Sequence, residues 1–527
     1  MNASNSRPAR KWSVVALGTA GATAVVVSYL LFIALAIACV ALPFVIFSSA
    51  ILRNYTIAAV LLSAFGLVAG LTIFWSLIPR RDKSEVTGVL IDAARETRLM
   101  AEIEYVAAAL GESMPRKVYL IPAANAFVAQ RGGIVGIGSH RILALGLPLL
   151  ATLSVSELRG LLAHEFAHFY SGDTRLAPWL FGAHQSMLRV YKNLSSESPI
   201  MAQLARHVIV WIPYMVLMTG LRWYWAGFMR LTLMISRQQE YRSDEIACRV
   251  AGSEAFIEVL RDLPKSQAGF NPYVESVVQP LLSNGYQPRI AEDFATFLST
   301  PHNQKATSDV LEKELETRRP EPFDSHPPLA LRIERARLLG LTVPECSSEP
   351  ALSLFANLHE WETNMIRKFV PDLKDANLKP VNWELAATEI YLPLWRKHVE
   401  SFLPLLADTT IFALPAIAKN IAPLADKVLH PPGRILSRSQ REEQALSVLG
   451  CAFGLSLVDH GWKFIAMPGS VAIQQGNTLV KPTVLMGALR SGAMSADQWQ
   501  EFCAEKGIGD YPLVQAAPVA QPESARA

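Results

Sequence analysis

Two uncharged apolar runs near the start of the chain constrain its fold more than any other feature. From Ser13 to Leu52 there is no charged residue until Arg53, and residues 55–79 form a second run of the same kind. A helix needs about 20 apolar residues to cross the hydrocarbon core of a bilayer. Hydrophobic residues make up 51% of the chain, high for a soluble protein of this length. The first run has room for two spans, but charge argues for one. Arg7, Arg10 and Lys11 precede it, and Arg80, Arg81 and Lys83 follow the second run. The positive-inside rule puts both clusters in the cytoplasm, which requires an even number of spans. We therefore expect a transmembrane helical hairpin with spans at about 13–50 and 56–79, a break near Pro43 and a tight turn at Arg53-Asn54. The run is too long, and continues too soon into a second one, for a cleaved signal peptide.

The chemistry is concentrated in the string HEFAH, His164 to His168, within LRGLLAHEFAHFYSGDT. Residues four apart on a helix lie on one face, about one turn apart. Both imidazoles can therefore reach one zinc ion, with Glu165 beside them to act on a bound water. Ser154 and Glu157 form a capping-box pattern that starts this helix. Between Leu161 and Tyr170 the motif's own residues are the only acid and histidines. A single histidine on an apolar helix is usually a packed core residue. A pair at ligand spacing beside an acid points to a metal site.

A catalytic zinc normally has three protein ligands and an open position. A metzincin would need Gly and His where this chain has Ser171 and Thr174, so that class is excluded. Asp173 follows the second histidine too closely, and either ends the helix or bonds to a ligand. The stronger candidate is Glu240 in ISRQQEYRSDEIACRVAG. Glu240 and Asp244 share a helix face, so Glu240 can bind the ion while Asp244 accepts the N–H of a ligating histidine and fixes its tautomer. Alone, such a pair would read as a solvated face.

Taken together, HEFAHFYSGDT, a long apolar insert, EYRSD and SHPPLALRI resemble the integral-membrane zinc metallopeptidases of the HtpX and type I CAAX prenyl protease family. The resemblance covers roughly residues 85–340 and the membrane segments before them. It implies a gluzincin-like HExxH catalytic domain with one zinc per chain held by His164, His168 and Glu240. It matches Asp173 and Asp244 to positions that support the ligands. It also implies an Asn-Ala-Phe strand, here Asn125, Ala126 and Phe127, that pairs with substrate backbone. His326, in a His-Pro pair, would stabilise the oxyanion, with Arg332 holding it or the substrate. Glu165 would be the general base. Nothing in residues 350–527 is covered.

The whole reads as mainly α with a small β-sheet (α+β). We expect a membrane hairpin at 1–83 and a zinc metalloprotease domain at 84–345 with an apolar helical insert at 175–236. A helix-rich domain at 346–515 and a disordered tail at 516–527 complete the chain. In the insert, Arg222 and Arg230 interrupt Trp211, Tyr214, Trp223, Tyr224 and Trp225. Buried arginines are costly in mid-bilayer, so the insert is either a helix pair with its arginines toward a protein cavity or a helix at the interface. A helix is expected over 84–112, short strands over 117–138, helices around 154–171 and 236–262, and loops at Pro301–Ser308 and Arg318–Ser325. The glycines at 132, 133, 136 and 138 lack a following Gly-Lys-Ser/Thr and read as hairpin turns. Five scattered cysteines fit a reduced compartment. A net charge of +3 gives no nucleic-acid footprint. The expected setting is the cell membrane, multi-pass, catalytic domain facing the cytoplasm, with polypeptide substrate and lipid as partners; the oligomeric state is not legible. The expected activity is zinc-dependent endopeptidase action on unfolded or damaged membrane proteins. The alternatives are a non-catalytic scaffold or chaperone-like subunit, which intact motif residues disfavour, and prenyl-protein processing, which needs more spans than can be placed. A site-2-type protease would need a late Asp-Gly segment, and none is found.

Overall fold

The structure, a computed structural model, describes residues 8–48, 55–80, 86–133, 138–170, 177–195, 198–319, 324, 326–344, 346–428 and 436–514. The Arg53-Asn54 turn, Asp173 and the tail 516–527 lie outside them. The fold is mostly helical with small sheets. The chain divides into two compact units, residues 1–268 with 306–369, and residues 269–305 with 370–527. Residues 269–305 thus group with the C-terminal region, whereas the sequence reading drew one boundary at 345.

In the first unit, α1 (Pro8–Ser48) and α2 (Thr56–Leu77) form the expected helix pair. Gly21–Ser48 and Thr56–Leu77 are long and apolar enough to cross a membrane, and they are the two such segments among the described residues. Pro43 lies inside α1 without ending it. The pair is held by a seam the sequence reading overlooked, Gly66-Leu67-Val68-Ala69-Gly70. A Cβ on Gly66 would stand 2.6 Å from the Cys39 carbonyl oxygen, and one on Gly70 2.8 Å from that of Ala36. Small residues at this spacing let two backbones approach where no hydrophobic effect drives helices together.

A four-stranded sheet comes next, in the order β1-β2-β4-β3. Its strands are β1 (Val89–Leu90), β2 (Lys117–Ile121), β3 (Ala126–Arg131) and β4 (His140–Gly146). β2 and β4 are parallel, the other pairings antiparallel. β3 is therefore an edge. The expected helix over 84–112 exists only as α3 (Thr97–Leu110), where Leu99, Ile103, Val106, Ala107 and Leu110 make the buried stripe. Val89 and Leu90 pair instead with Leu120 and Tyr119 on β2. Gly146 ends β4 where only glycine fits, because a Cβ would stand 2.0 Å from the Ala123 carbonyl oxygen.

Helix α4 (Val155–Tyr170) carries HEFAH. Its capping box forms as the sequence implies: the Ser154 N–H donates to Glu157 Oε2 at 2.6 Å, and the Glu157 N–H to Ser154 Oγ at 3.3 Å. The apolar insert is α5 (Ala177–Leu194), α6 (Pro199–Ala205) and the start of α7 (Val208–Ala251). Its core is shared with the α1–α2 pair, so that Phe32, Phe65 and Ile73 pack with Met187, Val190, Met218 and Phe228. Arg222 and Arg230 are exposed, facing no protein cavity. The helix expected at 236–262 is the far end of α7, which stops at Gly252 (φ 87°), and the start of α8 (Ser253–Tyr273).

In the second unit β5 (Tyr286–Gln287) pairs with β6 (Lys379–Pro380), and α9 is Ile290–Ser299. The loop expected at Pro301–Ser308 is instead the start of α10 (Pro301–Glu316), with proline in its first turn, where the missing N–H costs nothing. In the first unit again, α11 (Leu329–Leu339) follows His326, and α12 is Leu358–Phe369. The C-terminal core gathers around α13 (Arg438–Asp459), the meander β7 (Lys463–Met467), β8 (Ser470–Gln475) and β9 (Thr478–Val480), and fully buried Trp499.

Gly70→Val should force α1 and α2 apart and destabilise the hairpin by roughly 1–3 kcal/mol. Leu71→Val, at an exposed position, should change little. Thermal unfolding of both variants in mild detergent checks the contrast.

Candidate metal centre

Helices α4 and α7 pack against each other and face His164 and His168 toward Glu240. The two rings lie with centroids 5.0 Å apart and nearly perpendicular. His164 Nε2 is 3.6 Å from Glu240 Oε2, and His168 Nε2 is 3.5 Å from Glu240 Oε1. These separations are too long for hydrogen bonds. They match the edge of a tetrahedral zinc shell, about 3.4 Å for ligands at about 2.0–2.1 Å. Two imidazoles and a carboxylate, all offering lone pairs to one point, are a donor set that fits a divalent ion. The ligand atoms of these three residues all lie within 4.8 Å of one another.

The outer nitrogens are held as well. His164 Nδ1 faces Asp244 Oδ1 at 3.0 Å, and its ring stacks on Phe256 at 5.7 Å. His168 Nδ1 lies 3.4 Å from Ser243 Oγ, a residue the sequence reading did not single out. Ser243 lies three residues after Glu240 on the same helix, and that spacing was the available signal.

Arg332, expected to hold His326 or the substrate, is bonded to Asp244. Its Nε donates to Asp244 Oδ2 at 2.9 Å and its NH2 to Asp244 Oδ1 at 2.7 Å. The residue is 8% exposed, and Asp244 is 3% exposed. A buried carboxylate at Asp244 needs a fixed cation, and a planar guanidinium supplies two parallel hydrogen bonds to it. His326, largely exposed, brings Nδ1 to 2.8 Å from Glu240 Oε2. Its own N–H donates to Asp324 Oδ1 at 2.9 Å, and Arg237 holds the Asp324 carbonyl at 3.1 Å.

Glu165 reaches the sheet. Its Oε2 accepts the Val128 N–H at 3.4 Å. The edge strand β3 therefore meets the site at Val128, one residue past the expected Asn125, Ala126 and Phe127. Asn125 is exposed and turns its Oδ1 onto the Ala126 N–H at 2.9 Å, Ala126 is buried, and Phe127 pairs with Ala144 on β4. Asp173 lies outside the described residues.

The electrostatics suit metal binding. Burial, then the neighbouring His164, pushes the His168 imidazole down to about 4, which keeps it neutral and able to donate a lone pair. Burial alone would raise Glu240, but the His326 hydrogen bond and the charges of His164 and Arg332 prevail and hold it at about 2. Asp244 likewise stays below the usual carboxylate range, because Arg332 outweighs its burial. Burial raises Glu165, against the opposing influence of His164.

Removing the guanidinium in Arg332→Ala should leave Asp244 and Glu240 without their fixed cation. The expected cost is about 3–5 kcal/mol of stability and roughly a 10–100-fold loss of zinc affinity. Arg337→Ala, on the exposed face of the same helix, should be nearly neutral. Zinc titration and thermal unfolding of the two variants make the comparison.

Residues 93–339 match the family model for Peptidase family M48. The chain is 29% identical over 203 residues to "Protease HtpX homolog" of Acaryochloris marina, covering 35% of this chain and 62% of that protein. It is 23% identical over 212 residues to "Protease HtpX" of Acinetobacter baylyi, covering 37% and 66%. It is 24% identical over 266 residues to "Protease HtpX" of Pseudomonas savastanoi pv. phaseolicola, covering 48% and 77%. The chain thus spans just under two thirds of the length of the first two relatives. No solved structure matches it.

Proposed function

We propose, from the kinship of residues 93–339 with the HtpX-like peptidases of family M48, that this chain is a membrane-bound zinc endopeptidase. The observation that carries the reading is the convergence of His164 and His168 Nε2 on the two oxygens of Glu240, with Glu165 beside them. His164, His168 and Glu240 would hold one zinc ion per chain. When bound, the ion supplies a water of lowered pKa and a Lewis acid for a peptide carbonyl.

The chain's own residues do the rest. Glu165 is the general base. Its burial raises its proton affinity above that of an exposed glutamate, so it can take a proton from the attacking water and return it to the leaving amine. Asp244, fixed by Arg332, orients His164. His326 donates to Glu240 in the resting site and is near enough to turn toward a developing oxyanion. Asp173 is assigned a supporting place beside the ligands by its sequence position alone.

An extended substrate would add a strand to the edge of β3, using main-chain hydrogen bonds across Asn125 to Phe127. Backbone pairing tolerates many side chains, which suits cleavage of unfolded or damaged membrane proteins in HtpX-like quality control. The two apolar helices and the exposed Arg80 that follows them support a multi-pass placement in the cell membrane. The positive-inside rule supports a catalytic domain on the cytoplasmic side.

Glu165→Gln should retain one zinc per chain and lose cleavage of an unfolded protein such as casein by about 10²–10⁴-fold. His164→Ala should lose both metal and turnover. Zinc content by elemental analysis, measured beside casein cleavage in mild detergent, tests the reading. Undiminished cleavage by Glu165→Gln would contradict it.

A further inference from the structure

The active site and the membrane bundle share one helix, and that fixes a distance. Polar side chains from four helices meet at one level of the bundle. Arg189 Nε donates to the Ser76 carbonyl at 3.1 Å, and Asn193 Nδ2 donates to Ser76 Oγ at 3.0 Å. Arg189 NH2 donates to Ser186 Oγ at 2.8 Å, and Ser186 Oγ lies 3.3 Å from the Tyr29 hydroxyl. The Tyr224 hydroxyl donates to Ser28 beside it. The end of α2 lies at this level, with Arg80 over the Trp75 ring at 5.8 Å.

An arginine with no carboxylate partner in this network does not sit deep in hydrocarbon. Tyrosine and tryptophan collect where hydrocarbon gives way to water. The seam therefore marks where the membrane boundary region begins, which on α7 is at Tyr224, between Trp223 and Trp225, and the region extends along that helix as far as Met234. Below it α7 exposes Val208, Ile212, Val216 and Trp223. Beyond Tyr224 come exposed Arg230, then Leu231 and Met234, the last exposed apolar residues of α7, and then exposed Gln238.

From Tyr224 to Glu240 is 240 − 224 = 16 residues of unbroken helix, with Pro213 lying before this stretch. At about 1.5 Å per residue the metal centre stands up to about 24 Å along the helix from the boundary. An extended chain covers about 3.4 Å per residue. Up to about seven residues are needed to climb that height.

Resting on the endopeptidase reading above, we infer that the metal centre works at a fixed height above the membrane. An anchored polypeptide is cut only where enough extended residues, up to about seven, separate the scissile bond from the membrane boundary. Selection is then by the length of exposed tether, a property the sequence-tolerant edge of β3 cannot supply.

The test uses the full wild-type chain, zinc-loaded, in phosphatidylcholine–phosphatidylglycerol vesicles. The probe is a single Leu/Ala membrane helix, a Gly/Ser linker of 2 to 20 residues and one fixed unfolded casein segment. The same segments without the membrane helix serve as the soluble series. The expected result is soluble probes cut equally, and anchored probes cut only beyond a threshold linker no longer than about seven residues, with at least a tenfold rise across that threshold. Anchored probes cut equally at every linker length would overturn the inference and leave the endopeptidase reading standing. Failure to cut even the soluble series would overturn both.

Discussion

Two carboxylates, Glu240 and Asp244, are buried one turn apart on a single helix, and the surrounding structure answers their charge. Unpaired, each would take up a proton rather than stay ionised in a dry interior. Arg332 meets Asp244 with two hydrogen bonds, and His326 meets Glu240 with one contact at 2.8 Å. Asp244 can then fix His164 from behind, while Glu240 faces both Nε2 atoms from the front. The remaining demand of the cluster is a cation between three lone-pair donors.

The same helix carries the constraint outward. α7 is one continuous helix from Val208 to Ala251, so the residues that pack on α1 and α2 and those that face the centre belong to one element. Its first half shares a core with α1, α2 and α5, and its second half packs on α4. Close packing of this kind transmits displacement rather than absorbing it. The Gly66 to Gly70 seam, which lets α1 and α2 touch backbone to backbone, is part of the footing on which Glu240 stands.

Much of this was legible because the decisive spacings are local. His164 and His168, and Glu240 and Asp244, each lie four apart, and helical geometry alone puts each pair on one face. The Ser154–Glu157 capping box is local in the same sense. What was not legible depends on tertiary contacts. Arg332 could be read as a substrate ligand because nothing in SHPPLALRI says that its guanidinium folds back onto Asp244. Val128 escaped notice because its N–H reaches Glu165 only through the placement of β3 at the sheet edge. Polar Pro301–Ser308 looked like loop, yet proline in a first turn and an exposed helical surface need no apolar stripe. The helical stripe assigned to 84–112 failed over its first part because Val89 and Leu90 find partners on β2, and a two-residue strand leaves no periodicity to detect.

The central claim is that His164, His168 and Glu240 together bind one zinc ion. X-ray absorption at the zinc edge of the purified chain addresses it directly. The account predicts one zinc per chain with two imidazole scatterers and further oxygen ligands at about 2.0–2.1 Å, and no sulfur. A metal-free chain after zinc loading, or a zinc shell containing sulfur or lacking imidazole, would contradict it.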